Sequence, residues 1–202
     1  MMAIIDYDVG NLHNLKNALD YQGLPSAIVR EAAQVAAAER IIFPGVGAFW
    51  PAMEHLRRAG LEQVVRDKVA QGVPFLGVCV GLQLLFDEGE EDGPHPGLGL
   101  IPGRIVRFTG QLKIPQIGWN QVRQTRPDPL LEGIPDESYF YFVHSYHPLL
   151  DNPRDALGMT EYGQEFPSIV RRGNVWGVQF HPEKSQAAGL RLLKNFAQLQ
   201  PA

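Results

Sequence analysis

The only cysteine of the chain stands in Gly77-Val78-Cys79-Val80-Gly81, where a buried apolar run should turn sharply into a helix. The pattern parallels the nucleophile elbow Gly-x-Ser-x-Gly, with sulfur in place of the hydroxyl oxygen. Glycines two positions either side let strand and helix approach closely while Cys79 takes a strained backbone conformation. That turn thrusts the nucleophile into the crevice at the carboxyl edge of an open sheet, where α/β folds bind their ligands. The partial positive charge at the start of the following helix favours thiolate over thiol. A lone cysteine is otherwise most simply a packed core residue, and the flanking glycines are what argue against that here.

A thiolate needs a partner for proton transfer. Far downstream lies Gly177-Val178-Gln179-Phe180-His181-Pro182-Glu183. In an extended segment residues two apart point the same way, so His181 and Glu183 can cooperate, the carboxylate orienting the imidazole and Pro182 restricting the backbone between them. By itself such a triplet would be a strand-ending turn; paired with a cysteine elbow it becomes a Cys-His-Glu triad. A third piece, Pro44-Gly45-Val46-Gly47, follows an apolar run. Its glycines allow a peptide plane at Val46 to turn its N–H into the crevice, an oxyanion donor beside the backbone N–H of Val80. Neither glycine segment ends in Gly-Lys-Ser/Thr or completes Gly-x-Gly-x-x-Gly, so nucleotide binding is not expected.

Other candidates carry less. His13, His55 and His95 lack partner spacing, and His144 and His147 flank an aromatic run without carboxylates at metal-ligand spacing, so neither a metal nor a cofactor is expected. Trp119 and the aromatics from Tyr139 to Tyr146 read as sheet and core packing. Glu88, Glu90, Glu91 and Asp92 read as a solvated acidic loop.

The elements that must position these groups follow from the apolar periodicity. Residues 2–7, Pro25–Val29, Arg40–Phe43 and Pro74–Val78 are strand-like runs. Helical patterns separate them: Leu12, Leu15 and Leu19; the alanine-rich Ala32–Ala38; and Leu61, Val64, Val65 and Val69. This alternation predicts parallel strands with crossover helices. After the elbow, Leu82, Leu84, Leu85 and Phe86 continue as an apolar helix. From about residue 95 the texture becomes β-branched and aromatic, with strands at Arg104–Thr109, Tyr139–Val143, Ser168–Arg172 and Val175–Phe180, largely antiparallel, before a last helix from about Gln186 to Gln200. The expected fold is α/β, a three-layer sandwich with a mostly parallel central sheet, flavodoxin-like, extended by antiparallel strands from the second half. No boundary divides it, so residues 1–202 read as a single domain.

Composition agrees and narrows the function classes. With 202 residues, 45% of them hydrophobic, the chain can bury one substantial core. Its 18 Lys+Arg against 22 Asp+Glu give a net charge of -4, which provides no general basic surface for a nucleic acid. One cysteine excludes an internal disulfide and suits a reducing compartment. The apolar runs are strand-sized and the first residues lack the basic flank of a signal peptide, so a cytoplasmic protein without membrane association is expected.

The assembled segments resemble class I (triad-type) glutamine amidotransferases over nearly the whole length, and among them the glutaminase subunits that serve histidine biosynthesis. The resemblance rests on Asp6-Tyr7 with Gly10-Asn11-Leu12, on Pro44 to Phe49, and on Gly77 to Gln83. It extends through Lys113 to Asn120, Tyr141 to Tyr146 and Gly177 to Ser185. It implies a nucleophile at Cys79, a base at His181, an orienting carboxylate at Glu183 and glutamine contacts from Gly47, Gln83, Glu91, Ser145 and Tyr146. It also implies a heterodimer with a (β/α)₈ barrel cyclase, which uses the released ammonia to make imidazole glycerol phosphate and aminoimidazole carboxamide ribotide. Asn11, Trp119 and Lys184 would face that barrel. Where this branch commonly has a histidine, the chain has Gln116. The glutaminase of pyridoxal phosphate synthase fits the Gly118-Trp119-Asn120 and Phe142-to-Tyr146 segments poorly. A flavodoxin-like binding module would not need an intact Cys79, His181 and Glu183.

Overall fold

Met2–Ile5 (β1), Ser26–Val29 (β2), Arg40–Gly45 (β3) and Phe75–Cys79 (β4) are the first four strands, and β1 and β4 are buried along their whole length. Burial on both faces follows from the crossover helices, because the apolar stripe of each helix needs the sheet as its partner. These helices are Leu12–Tyr21 (α1), Ala32–Ala36 (α2), Phe49–Arg58 (α3) and Glu62–Ala70 (α4). The elbow then leads into a single helical turn, Val80–Gln83 (α5). The computed structural model describes residues 1–200, and the last two residues of the expected 1–202 domain lie outside the described residues.

The second half supplies Phe86–Gly89 (β5), His95–Pro96 (β6), Ile101–Arg107 (β7), Gln116–Gln124 (β8), Ser138–His144 (β9), Tyr146–Leu150 (β10), Ala156–Glu161 (β11), Glu165–Arg172 (β12) and Val175–Val178 (β13). The helix Gln186–Gln198 (α6) closes the chain. Nine strands form one sheet in the order β2-β1-β3-β4-β13-β12-β11-β8-β9. It is parallel from β2 to β13 and antiparallel beyond. The α/β fold is therefore the expected one, with a large mixed sheet extended by strands of the second half. β4 sits between β3 and β13, so the three segments bearing the candidate groups leave adjacent strands at one sheet edge.

Several features differ from the sequence reading, among them the unpredicted helix α3 and strands β8 and β11. The apolar run after the elbow is one helical turn followed by β5, because Leu82, Leu84, Leu85 and Phe86 are all fully buried and such a run has no face from which to read a period. Also, β5, β6, β7 and β10 form a separate small sheet in the order β10-β7-β5-β6. The strand expected at Tyr139–Val143 is β9 of the large sheet, and after Ser145 the chain continues as β10 in the small one.

Candidate active site

Cys79 is the last residue of β4 and precedes α5 with φ 56° and ψ −114°. That conformation is costly for any residue with a side chain and persists only where its surroundings enforce it. The surroundings are the close packing of β3, β4 and α5. A Cβ on Gly81 would lie 1.8 Å from the Phe43 carbonyl oxygen, and one on Gly77 would lie 2.7 Å from that of Gly81. Both glycines of the elbow are thus fixed by backbone-to-backbone approach. The buried Tyr7 hydroxyl donates to the Pro44 carbonyl at 2.8 Å, tying β1 to the end of β3 just before Val46. Burial, and the neighbouring Cys79, push the Tyr7 pKa far upward, so it stays a donor.

His181 and Glu183 leave the end of β13 on an equally fixed backbone. The His181 N–H donates to the Tyr141 carbonyl at 2.9 Å. The Ser185 hydroxyl donates to the His181 carbonyl at 2.6 Å and accepts from the Tyr141 N–H at 3.0 Å. Gly189 brings α6 against this turn, since a Cβ there would be 2.0 Å from the Pro182 carbonyl oxygen. Held in this way, the His181 ring turns Nδ1 to Glu183 Oε1 at 2.9 Å and lines the same cavity as Cys79, whose Sγ lies 4.0 Å from the Val143 carbonyl oxygen. All three side chains are buried. Burial alone would lower the imidazole pKa, but Cys79 and Glu183 outweigh it and push it up to about 10. At neutral pH the ring is therefore an imidazolium between sulfur and carboxylate.

Sulfur and ring open into a cavity of about 360 Å³. Val46, Gly47, Val80, Gln83, Glu91, Ser145 and Tyr146 line it together with the exposed Asn11 and Lys184. Every candidate for oxyanion or substrate contact thus meets at one place. Glu91 also accepts from the Phe49 N–H at 2.7 Å, which ties the acidic segment to the start of α3 just after Val46 and Gly47. The acidic stretch is accordingly not a purely solvated loop. Trp119 lies outside the cavity, half exposed, its ring 5.9 Å from that of Tyr141, and Lys184 Nζ sits 5.8 Å above the same tyrosine ring. Among the described residues no group of three or more His, Cys, Asp or Glu is placed to hold a metal ion, and no helix is long and apolar enough to cross a membrane.

Comparison with known proteins agrees with this geometry. The profile of the glutamine amidotransferase class-I family matches residues 3–199. Imidazole glycerol phosphate synthase subunit HisH of Desulfitobacterium hafniense (strain Y51) is 52% identical over 196 residues, 97% of this chain and 93% of the relative. The chain belongs to the class-I glutamine amidotransferases, in the HisH branch. Subunit HisH of Salinibacter ruber is 49% identical, covering 98% of this chain and 94% of the relative. The same fold recurs in a crystal structure of a glutamine amidotransferase, with TM-score 0.72, 24% identity and coverage of 98% and 99% of the two chains. It recurs also in PurLQS from Thermotoga maritima, with TM-score 0.76, 16% identity and 96% coverage of each.

This amidotransferase places further residues at the cavity that sequence reasoning did not assign there. Pro115, Val143 and His144 line it. Burial lowers the His144 pKa to about 4, so its ring stays neutral, its nitrogens facing the Tyr146 carbonyl at 2.7 Å and the Gln116 amide at 2.9 Å. Gln116 is thus a buried partner of His144 and does not line the cavity. Ser185 and Tyr7 act on the backbone beneath the triad. Both fall within segments that carry the family resemblance, and their hydroxyls gave no signal of their own.

The raised His181 pKa has a consequence for stability. A group whose pKa is higher folded than unfolded stabilises the fold fully below its unfolded value, near 6.5 for histidine, and loses that contribution as pH rises through the folded value of about 10. The melting temperature of the parent should therefore fall relative to His181→Asn between pH 7 and 10. A constant difference across that range would show that the imidazolium is not stabilised by its neighbours.

Proposed function

We propose that this chain is the glutaminase subunit of an imidazole glycerol phosphate synthase, hydrolysing glutamine at Cys79 and passing the ammonia to a (β/α)₈ barrel cyclase. The observation that carries the reading is that Cys79 and the hydrogen-bonded His181–Glu183 pair meet at one cavity large enough for an amino acid, with Cys79 and His181 in its wall. Cys79 as thiolate attacks the side-chain amide carbon, and the oxyanion formed takes hydrogen bonds from the Val80 N–H and one at Val46. The His181 imidazolium gives its proton to the amide nitrogen, the C–N bond breaks, and ammonia leaves a thioester. The imidazole, now neutral, takes a proton from water as the hydroxide attacks the thioester; the C–S bond breaks, restoring the thiolate and releasing glutamate. Glu183 holds the ring and its charge throughout, while Gly47, Gln83, Glu91, Ser145 and Tyr146 bind the amino-acid portion.

Free ammonia is protonated in water and loses its lone pair, so hydrolysis is useful only beside a consuming site. The exposed face of β8 and β9 supports docking there. Ile117, Trp119 and Tyr139 are large, apolar and exposed on neighbouring positions of one face, where Lys184, which also lines the cavity, sits over Tyr141 beside Trp119. We read this side as the surface facing the barrel. The orientation of one peptide near Val46 is a suitable control point, because one oxyanion donor is worth about 10²–10³ in rate. Glutamate release should be slow for the chain alone and rise at least about 10²-fold with the cyclase and its nucleotide ligand. Full activity of the isolated chain would contradict the regulatory part; no glutamate with either preparation would contradict the activity itself.

A further inference from the structure

Gln179 is fully buried, does not line the cavity and takes no part in the proton transfers above. Its side chain nevertheless controls one that does line it. Gln83 Nε2 lies 3.3 Å from the Tyr146 carbonyl oxygen and 3.3 Å from Gln179 Oε1, and donates to both. A carbonyl can only accept, which identifies the Gln83 atom at this end of the amide as Nε2, and the two acceptors together hold it there. Nε2 at this end in turn requires an acceptor from Gln179. Both amide hydrogens of Gln83 are thereby used inside the protein. Its Oε1 takes no hydrogen bond from the protein, and among the described residues it is not one of the enclosed unpartnered polar atoms, so it is open to the cavity that Gln83 lines. The cost of this arrangement falls on Gln179, whose own Nε2 is buried without a protein partner.

An oxygen that can only accept selects a donor. Gln83 follows Cys79 by four residues across the elbow turn, roughly 6 Å along a helix axis, which is about the reach from the reacting amide carbon of glutamine to its α-nitrogen. The Glu91 carboxylate lines the same cavity beside Tyr146. We propose that Gln179 is a positioning residue that locks the Gln83 amide with Oε1 facing the cavity as an acceptor for the substrate's α-ammonium group, so that it sets selectivity for a free α-amino acid. This rests on glutamine being the substrate, as argued above.

The test uses the full chain and alkylation of Cys79 by the diazoketone analogue of glutamine, with L-glutamine or 4-carbamoylbutanoate, the same molecule without its α-amino group, as protecting ligands. In the parent, L-glutamine should protect at much lower concentration than the des-amino compound. In Gln179→Met, which removes the acceptor together with the unpartnered donor, that preference should shrink about tenfold, the size expected for one hydrogen bond to a charged group. With the cyclase present, KM for glutamine should rise correspondingly and kcat change little. Gln179→Glu keeps an oxygen acceptor toward Gln83 and should retain the preference, which also serves as the deciding variant if Gln179→Met does not fold. An unchanged preference in folded Gln179→Met, or its loss in folded Gln179→Glu, would overturn the proposal. Failure of L-glutamine to protect the parent would instead overturn the glutaminase reading on which it stands.

Discussion

Cys79→Ala should lower glutamate release by on the order of 10⁴-fold or more, with binding of glutamine and docking of the cyclase preserved. The size follows from covalent chemistry: without sulfur no thioester forms, and the oxyanion donors and His181 are left to promote only direct attack by water. The backbone at position 79 supplies an internal control. At φ 56° a glycine is unstrained whereas alanine is not, so Cys79→Gly should be equally inactive and yet more stable than Cys79→Ala by about 1 kcal/mol. Rate assays and thermal melts on the pair separate the two uses of the position. Equal stability would mean that the elbow carries no strain, and residual activity near the parental level would remove Cys79 from the mechanism.

Glu183→Gln is the second large effect. Its carboxylate meets His181 Nδ1 at 2.9 Å inside the protein and is not part of the cavity wall. Replacing it by an amide withdraws the negative charge that supports the imidazolium and lets the ring settle in another tautomer. A fall in kcat of at least about 10²-fold is expected, with KM for glutamine nearly unchanged. The pH profile adds a readout with a definite sign. Because Glu183 is one of the groups that raise the His181 pKa, its loss lowers that pKa, and the alkaline limb of the rate profile should move to lower pH. A purely structural role would depress the melting temperature and leave kcat and that limb in place.

The candidate site was legible in the sequence because its constraints are local. The glycines of the elbow, the His-x-Glu spacing and the glycine pair around Val46 each state a backbone requirement that few residue types can meet. The parallel half of the sheet was legible for a similar reason: short apolar runs between amphipathic helices have one arrangement that buries both. What could not be read lies where polarity and position part company. β8 is rich in glutamine and carries an asparagine and an arginine, yet it is a full strand, because one face is open and its register with β9 is set by tertiary pairing. The break at Ser145 sits inside an aromatic run with no glycine or proline to mark it, although it lets Ser145 and Tyr146 reach the cavity while the chain passes from one sheet to the other. α3 begins with Phe-Trp-Pro and lacks a side-chain cap of its own at Ala48; the Phe49 N–H is met instead by Glu91 from a distant segment. Likewise, nothing near Gln179 in the sequence indicates that its amide acts on Gln83.

Everything depends on a covalent bond between Cys79 and the carbon skeleton of glutamine. The chain, with its cyclase and nucleotide, should be mixed with carbon-labelled glutamine, quenched in acid during turnover, digested and mapped. The expected result is label retained on the peptide containing Cys79 and nowhere else, absent from Cys79→Ala. Turnover of glutamine with no label on that peptide, or with label on another, would contradict the account.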